Sequence, residues 1–308
     1  MPRGYAHVLA DARGSNDSEG DWDLMGPVEQ RDLVELIEHV AGQPWCDGRV
    51  GMAACSYFGV SQYLAAEQQA PSLRAIFPHD AFTDQYRECF HGGIQAEGFQ
   101  RDWSSVVSIL STWSGRRSQV SGMQQHFTRI LSLEEPFDGP YYQERSAWPA
   151  LERIRVPAYF GTNWRCTDLH LRGALQAYGS AGDPRRRLLL GPLPTVRRPF
   201  ATYHVVALRW YDQWLKDLDT GVMNGDPIRI WVQREQMWRG ERGGRWRGRA
   251  GPSCAWAAQR AGSKVCWTPP PVTRRAARIA TTPRTSPPGW AGSFGSSTGR
   301  RRSRRTSR

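Results

Sequence analysis

The stretch Arg49 to Gly59, RVGMAACSYFG, puts one serine where chemistry could happen. Val50 to Ala54 is apolar, Cys55-Ser56 forms a small-residue corner, and the helix-prone run SQYLAAEQQ follows Val60. This is the sequence shape of a nucleophile elbow, in which a strand ends, the chain turns sharply and a serine hydroxyl is left at the tip above a helix. Such a turn needs small neighbours because its backbone is strained and its flanks come close together. Ala54 and Gly59 supply them. The chemistry would be attack of the Ser56 hydroxyl on an acyl carbon. The same residues also fit a plain buried strand entering a helix with serine as its N-cap, and the local pattern leaves both readings open.

The remaining reactive residue types offer less. Six cysteines (46, 55, 89, 166, 254 and 266) form no C-x-x-C pair and no His/Cys cluster at zinc spacing. They read as reduced thiols, mostly core fillers, and neither a metal nor an organic cofactor is expected.

The elbow needs a sheet and helices to hold it. Tyr5 to Ala10 reads as a short strand, followed by the loop DARGSNDSEGDWD. Pro27 opens a helix through Val40 with Val28, Leu33, Leu36, Ile37 and Val40 on one face. Glu29, near its start, suits the helix dipole. After the elbow helix, LRAIFPH (73–79) is a buried strand, as are RIRVPAYFGTNW (153–164) and RRRLLLGP (185–192). Tyr203 to Leu218 is an amphipathic helix with Val206, Trp210 and Trp214 at helical spacing, and DPIRIWVQ (226–233) starts a further strand. Strand and helix alternating in this way predicts an α/β fold around a parallel sheet. Residues 81–148 break the alternation. There Trp103, Val106, Val107, Leu110 and Trp113 suggest a helical insertion, either a cap that shapes a pocket or simple packing on the core.

Length, charge and hydropathy bound the rest. The 308 residues suffice for one large domain or two ordinary ones, and no run of eighteen apolar residues predicts a membrane span. MPRGYAHVLADARG lacks the apolar core of a secretory signal, so a cytoplasmic location is the expectation. The net charge of +12 is confined to the tail: sixteen basic residues and one acidic residue lie from Glu241 onward, leaving 1–240 at about −3. From 241 to 308 there is no Leu or Met, and Arg, Ser, Pro, Gly, Ala and Thr dominate. Such a stretch cannot bury enough apolar surface to offset chain entropy, so it is expected to be disordered or an out-of-frame read of a GC-rich gene. The coding DNA in the other two frames distinguishes these.

With these landmarks placed, the chain resembles the cocaine-esterase-like (CocE/NonD) hydrolases, relatives of the Xaa-Pro dipeptidyl peptidases of serine peptidase family S15. DARGSNDSEGDWD is similar to that family's D-x-R-G…S-E-G loop, and QPWCDGRVGMAACSYFG to its run into the elbow. RIRVPAYFGTNW resembles the strand leading to the catalytic acid, and ALRWYDQWLKDLDTGVMNGDPIRIWV the last core helix and the entry to a C-terminal β-domain. The resemblance implies an α/β-hydrolase core over 1–80 and 149–222 and a helical cap over 81–148. It further implies the start of a C-terminal β-domain at 223–240, ahead of the tail at 241–308.

It also implies a catalytic set in the chain order serine, acid, histidine. Ser56 takes the nucleophile position and the amide of Tyr57 the first oxyanion donor. The family's second donor is a tyrosine on a loop that would precede Met1 here. The acid position, two residues after Trp164, holds Cys166, so Asp168 is the candidate acid. The family's G-P-W-x-H reads GPLPT here, with Thr195 at the base position. His204 is then the candidate base and His170 the alternative. The expected function is a serine hydrolase that cleaves an ester, or an amide such as an Xaa-Pro dipeptide, through an acyl-enzyme. The expected partner is a small-molecule ester or peptide substrate, with no membrane, and the oligomeric state is left open. Two alternatives stand beside it: a catalytically inactive truncated relic, and nucleic-acid binding through the basic tail, which lacks a motif or a folded scaffold.

Overall fold

The computed structural model describes residues 3–15, 17–96, 101–106, 126, 129–164, 169–192 and 199–243, of which 199–202 are described as backbone. Helix α1 (Pro27–Ala41) precedes strand β1 (Val50–Cys55), helix α2 (Tyr57–Glu67) and strand β2 (Leu73–His79). After the insertion come β5 (Ala158–Asn163), helix α5 (Leu171–Ser180), β6 (Arg186–Gly191), helix α6 (Pro199–Leu215), β7 (Ile228–Val232) and β8 (Met237–Glu241). The elements predicted at 27–40, 73–79, 153–164, 185–192 and 226–233 all form, with ends shifted by a few residues.

These strands make one six-stranded sheet in the order β1-β2-β5-β6-β7-β8. Every neighbouring pair is parallel except β7 with β8. The segment read as the start of a further β-domain therefore adds β7 and β8 to this sheet. Parallel strands covered on both faces bury continuous apolar runs, and Leu188, Leu189 and Leu190 of β6 are all buried.

Side-chain alternation splits the core in two. On one face, Ile76, Phe160, Leu188 and Leu190 pack with Val60, Tyr63 and Leu64 of α2 and with Ala177 of α5. On the other, Ala75, Phe77, Tyr159 and Leu189 pack with Tyr203, Ala207 and Trp210 of α6. Trp210 is fully buried and its indole N–H donates to Ile76 O at 3.0 Å, which fastens α6 across β2.

Residues 5–10 are not a strand, contrary to the sequence expectation. Among the described residues they hold no ladder partner; Tyr5 is tied instead to Asp212 by its hydroxyl at 2.7 Å, and Val8 and Leu9 are exposed. Apolar alternation marks a segment able to pair, and pairing needs a neighbouring edge. Among the described residues β1 is one edge of the sheet, and none of its six residues is fully buried.

The insertion contains helix α3 (Gln85–Cys89), a short antiparallel pair β3 (Phe90–His91) and β4 (Ile94–Gln95), helical residues 101–106, and helix α4 (Pro140–Gln143). The hairpin turn uses Gly92 and Gly93 at φ 62° and 85°, a region that favours glycine. Val107, Leu110 and Trp113, read as part of a helical cap, lie outside the described residues, as does the tail from 244.

Candidate active site

Ser56 joins β1 to α2 with φ 58° and ψ −128°, a backbone state that costs on the order of 1–3 kcal/mol and persists only where its surroundings impose it. Here its N–H donates to His79 O (3.1 Å) and Asp80 O (2.8 Å), while its own carbonyl accepts from Gly59 N (2.8 Å) and Val60 N (3.0 Å). One turn into the helix, a Cβ on Gly59 would lie 2.8 Å from Ala81 Cβ and 3.0 Å from His79 O. The small residue predicted there is thus required by contact with the neighbouring strand end.

Gln62, fully buried, locks the same helix to both strands. Its Nε2 donates to Ala54 O (3.2 Å) and Phe58 O (3.1 Å), and its Oε1 accepts from Phe77 N (3.0 Å). The Ser56 hydroxyl, half-buried, has no hydrogen-bond partner among the described residues. Tyr57, as the first helical residue, has an amide with no intrahelical acceptor, aimed with the positive end of the α2 dipole. An oxyanion formed at Ser56 would meet such donors.

The Tyr57 side chain is held from its far end. Its hydroxyl donates to Glu29 Oε1 and Oε2, both at 2.5 Å, and accepts from Trp22 Nε1 at 3.2 Å. Glu29 Oε2 also accepts from Met25 N at 2.9 Å. Burial pushes Glu29 up to about 7 in spite of these hydrogen bonds. Burial, and then the Glu29 charge, push the Tyr57 phenol well above its ordinary value.

Asp168, the candidate acid, lies outside the described residues, as do Cys166 and Thr195. His204 is exposed on α6 next to the inward-facing Tyr203, and no hydrogen bond joins it to Ser56. His170, the alternative base, is buried at the N-terminal end of α5.

A titratable pair absent from the sequence reading sits beside the elbow. His79 closes β2 and is 2% exposed, with its Nδ1 3.1 Å from Asp80 Oδ2. Asp80 also accepts from Thr162 Oγ1 (2.9 Å) and Asn163 Nδ2 (3.2 Å). Burial pushes Asp80 up, but His79, the nearby His170 and the Thr162 hydroxyl outweigh it and hold Asp80 below the usual carboxylate range. The His79 ring packs over Gly161, where a Cβ would lie 2.3 Å from it, and stacks on Tyr203 at 5.3 Å. Neither of its ring nitrogens bonds to Ser56. A signal was present in Pro78-His79-Asp80, since ligands bind outside the carboxyl ends of parallel strands.

A cavity of about 450 Å³ lies between the insertion and the start of α5. Tyr86, Phe90, His91, Leu169 and Arg172 line it, and Leu169 follows directly on the segment that carries Asp168. Among the described residues no group of three or more His, Cys, Asp or Glu side chains could hold a metal, and no helix is long and apolar enough to cross a membrane. Cys46, Cys55 and Cys89 are not joined in disulfides.

Residues 1–194 match the family model for X-Pro dipeptidyl-peptidase (S15 family). The chain is 39% identical over 287 residues to the cocaine esterase of Rhodococcus sp. (strain MB1 Bresler), covering 77% of this chain and 49% of that protein. It is 25% identical over 164 residues to the Xaa-Pro dipeptidyl-peptidase of Lactobacillus delbrueckii subsp. lactis, covering 46% of this chain and 20% of that one. Among solved structures, a CocE/NonD family hydrolase from Staphylococcus aureus superposes with a TM-score of 0.63 at 24% identity, covering 75% of this chain and 41% of that chain, which shows a shared fold. The chain spans about half the length, or less, of these proteins.

Proposed function

Since the chain belongs to the X-Pro dipeptidyl-peptidase (S15) family, we propose that it is a serine hydrolase of the CocE type, cleaving an ester or an amide such as an Xaa-Pro dipeptide through an acyl-enzyme on Ser56. The observation that carries this is Ser56 itself: a residue at φ 58° between a parallel strand and a helix N-terminus, held there by two hydrogen bonds that its amide donates.

In the proposed reaction Ser56 Oγ attacks the carbonyl carbon while His204 takes its proton, with Asp168 orienting the imidazole. The oxygen that gains charge is received by the Tyr57 amide. Collapse breaks the bond to the leaving alkoxide or amine, which takes the proton back from the histidine. Water then attacks the acyl-Ser56 with the same histidine as base, releasing a carboxylic acid and restoring the hydroxyl.

A fluorophosphonate probe tests the reading. Labelling of Ser56 in the wild type, and none in Ser56→Ala, supports it. A folded wild type that stays unlabelled sinks it and favours a non-catalytic relative. Turnover of a p-nitrophenyl ester against an Xaa-Pro p-nitroanilide then separates the two substrate classes. His204→Ala and Asp168→Ala are expected to lower kcat by roughly 10⁴–10⁶. If His204→Ala is as active as wild type and His170→Ala is not, the base is His170.

A further inference from the structure

Glu29 sits in the first turn of α1 yet is 6% exposed, so it is no ordinary surface acid at a helix dipole. The groups that face it make a carboxylate hard to keep there: Asp23 and Asp32 both oppose its charge. The nearby cations are engaged elsewhere, Arg145 with Asp23 at 2.7 Å and Arg13 with Asp32, while His126 Nε2 lies 3.6 Å from Asp23. What Glu29 does hold is the Tyr57 hydroxyl, at 2.5 Å from both oxygens.

Resting on the reading of Ser56 as nucleophile, we propose that Glu29 is a positioning residue that fixes the oxyanion-binding amide of Tyr57 by clamping the far end of the Tyr57 side chain. A tyrosine has two side-chain torsions between its ring and its backbone, so a ring pinned at its hydroxyl restrains the Cα from which the amide projects. The pin is tripartite: Glu29 from α1, Trp22 Nε1 at 3.2 Å from the preceding loop, and the Met25 amide, which orients the carboxylate at 2.9 Å. Met25 itself holds φ 54°, a strained state that presents its N–H to Glu29. The need for such a pin follows from the elbow. An oxyanion donor acts only within about 2.7–3.1 Å of the developing charge, so small rotations of the first turn of α2 are expensive.

The test compares rates of fluorophosphonate labelling at Ser56, with circular dichroism confirming that each variant is folded. Tyr57→Phe and Glu29→Ala are each expected to slow labelling about tenfold, less than the loss of a whole oxyanion donor. The double variant should be no slower than either single one, because both remove the same clamp. Glu29→Gln, which still accepts from Tyr57, should recover most of the rate. With a substrate ester, kcat should fall while KM stays within twofold, a split that loss of stability alone would not produce. Folded variants that label at the wild-type rate overturn the clamp and leave the nucleophile standing. A folded wild type with no labelling at all removes the nucleophile and the clamp with it.

Discussion

A Cβ placed on Gly59 would stand 2.8 Å from the Cβ of Ala81, across the junction between the elbow helix and the loop that leaves β2. The contact is backbone-supported on both sides, so it cannot be relieved by turning a flexible side chain. Gly59→Ala is therefore expected to destabilise the fold by about 1–3 kcal/mol and to slow labelling of Ser56. Urea denaturation and the labelling rate check this, and an unchanged midpoint would show that the strand end gives way freely.

Gln62 ties α2 to both flanking strands through Ala54 O and Phe77 N. Gln62→Leu keeps the bulk but strands a buried N–H and weakens the hold on Ala54 O. The expected cost is roughly 1–3 kcal/mol for the group left unpaired. A denaturation midpoint within error of wild type would mean that water or a shifted backbone replaces the amide.

Glu67, at the end of the same helix, is 4% exposed, with no partner for Oε1 among the described residues, and burial pushes it up to about 9 against the pull of Arg153. From its ordinary value near 4.5 to about 9, the folded chain keeps a proton the unfolded chain has released. The stability of the wild type must fall as pH rises through that window, by about 1.4 kcal/mol per pH unit from this group. Glu67→Gln is expected to match wild type in Tm near pH 4.5 and to exceed it progressively toward pH 9. A constant difference across that range would contradict the buried-acid assignment.

Tyr203 is buried with a hydroxyl that has no hydrogen-bond partner among the described residues. Tyr203→Phe should leave stability unchanged or raise it slightly, because no bond is lost. Gly191→Ala, by contrast, puts a Cβ 2.0 Å from that hydroxyl and should destabilise strongly. Combining the two should restore part of the loss, and strict additivity of the two changes in a thermal melt would refute the contact.

The sequence carried the elbow and the layers because each is written in local terms. A strained corner demands small residues at fixed spacing, so Ala54, Ser56 and Gly59 stand out together. A parallel strand buried on both faces demands an unbroken apolar run, as at Leu188 to Leu190, and a helix laid on a sheet demands apolar residues at helical spacing, as at Val206, Trp210 and Trp214. The same local terms misled at residues 5–10, where an apolar run short enough for a strand is tied through Tyr5 to Asp212 instead of joining the sheet.

What tertiary structure alone decided is the company each polar group keeps. Glu29 looked like an acid at a helix start, yet folding carries it to Tyr57, 28 residues on, and buries the carboxylate. His79 and Asp80 looked like the end of a strand, and only the arrival of β5 surrounds them with Gly161, Thr162 and Asn163. Periodicity reports which face a side chain takes within its own element. It is silent on which distant element covers that face, and for a buried carboxylate or imidazole that distant neighbour sets both its charge and its use.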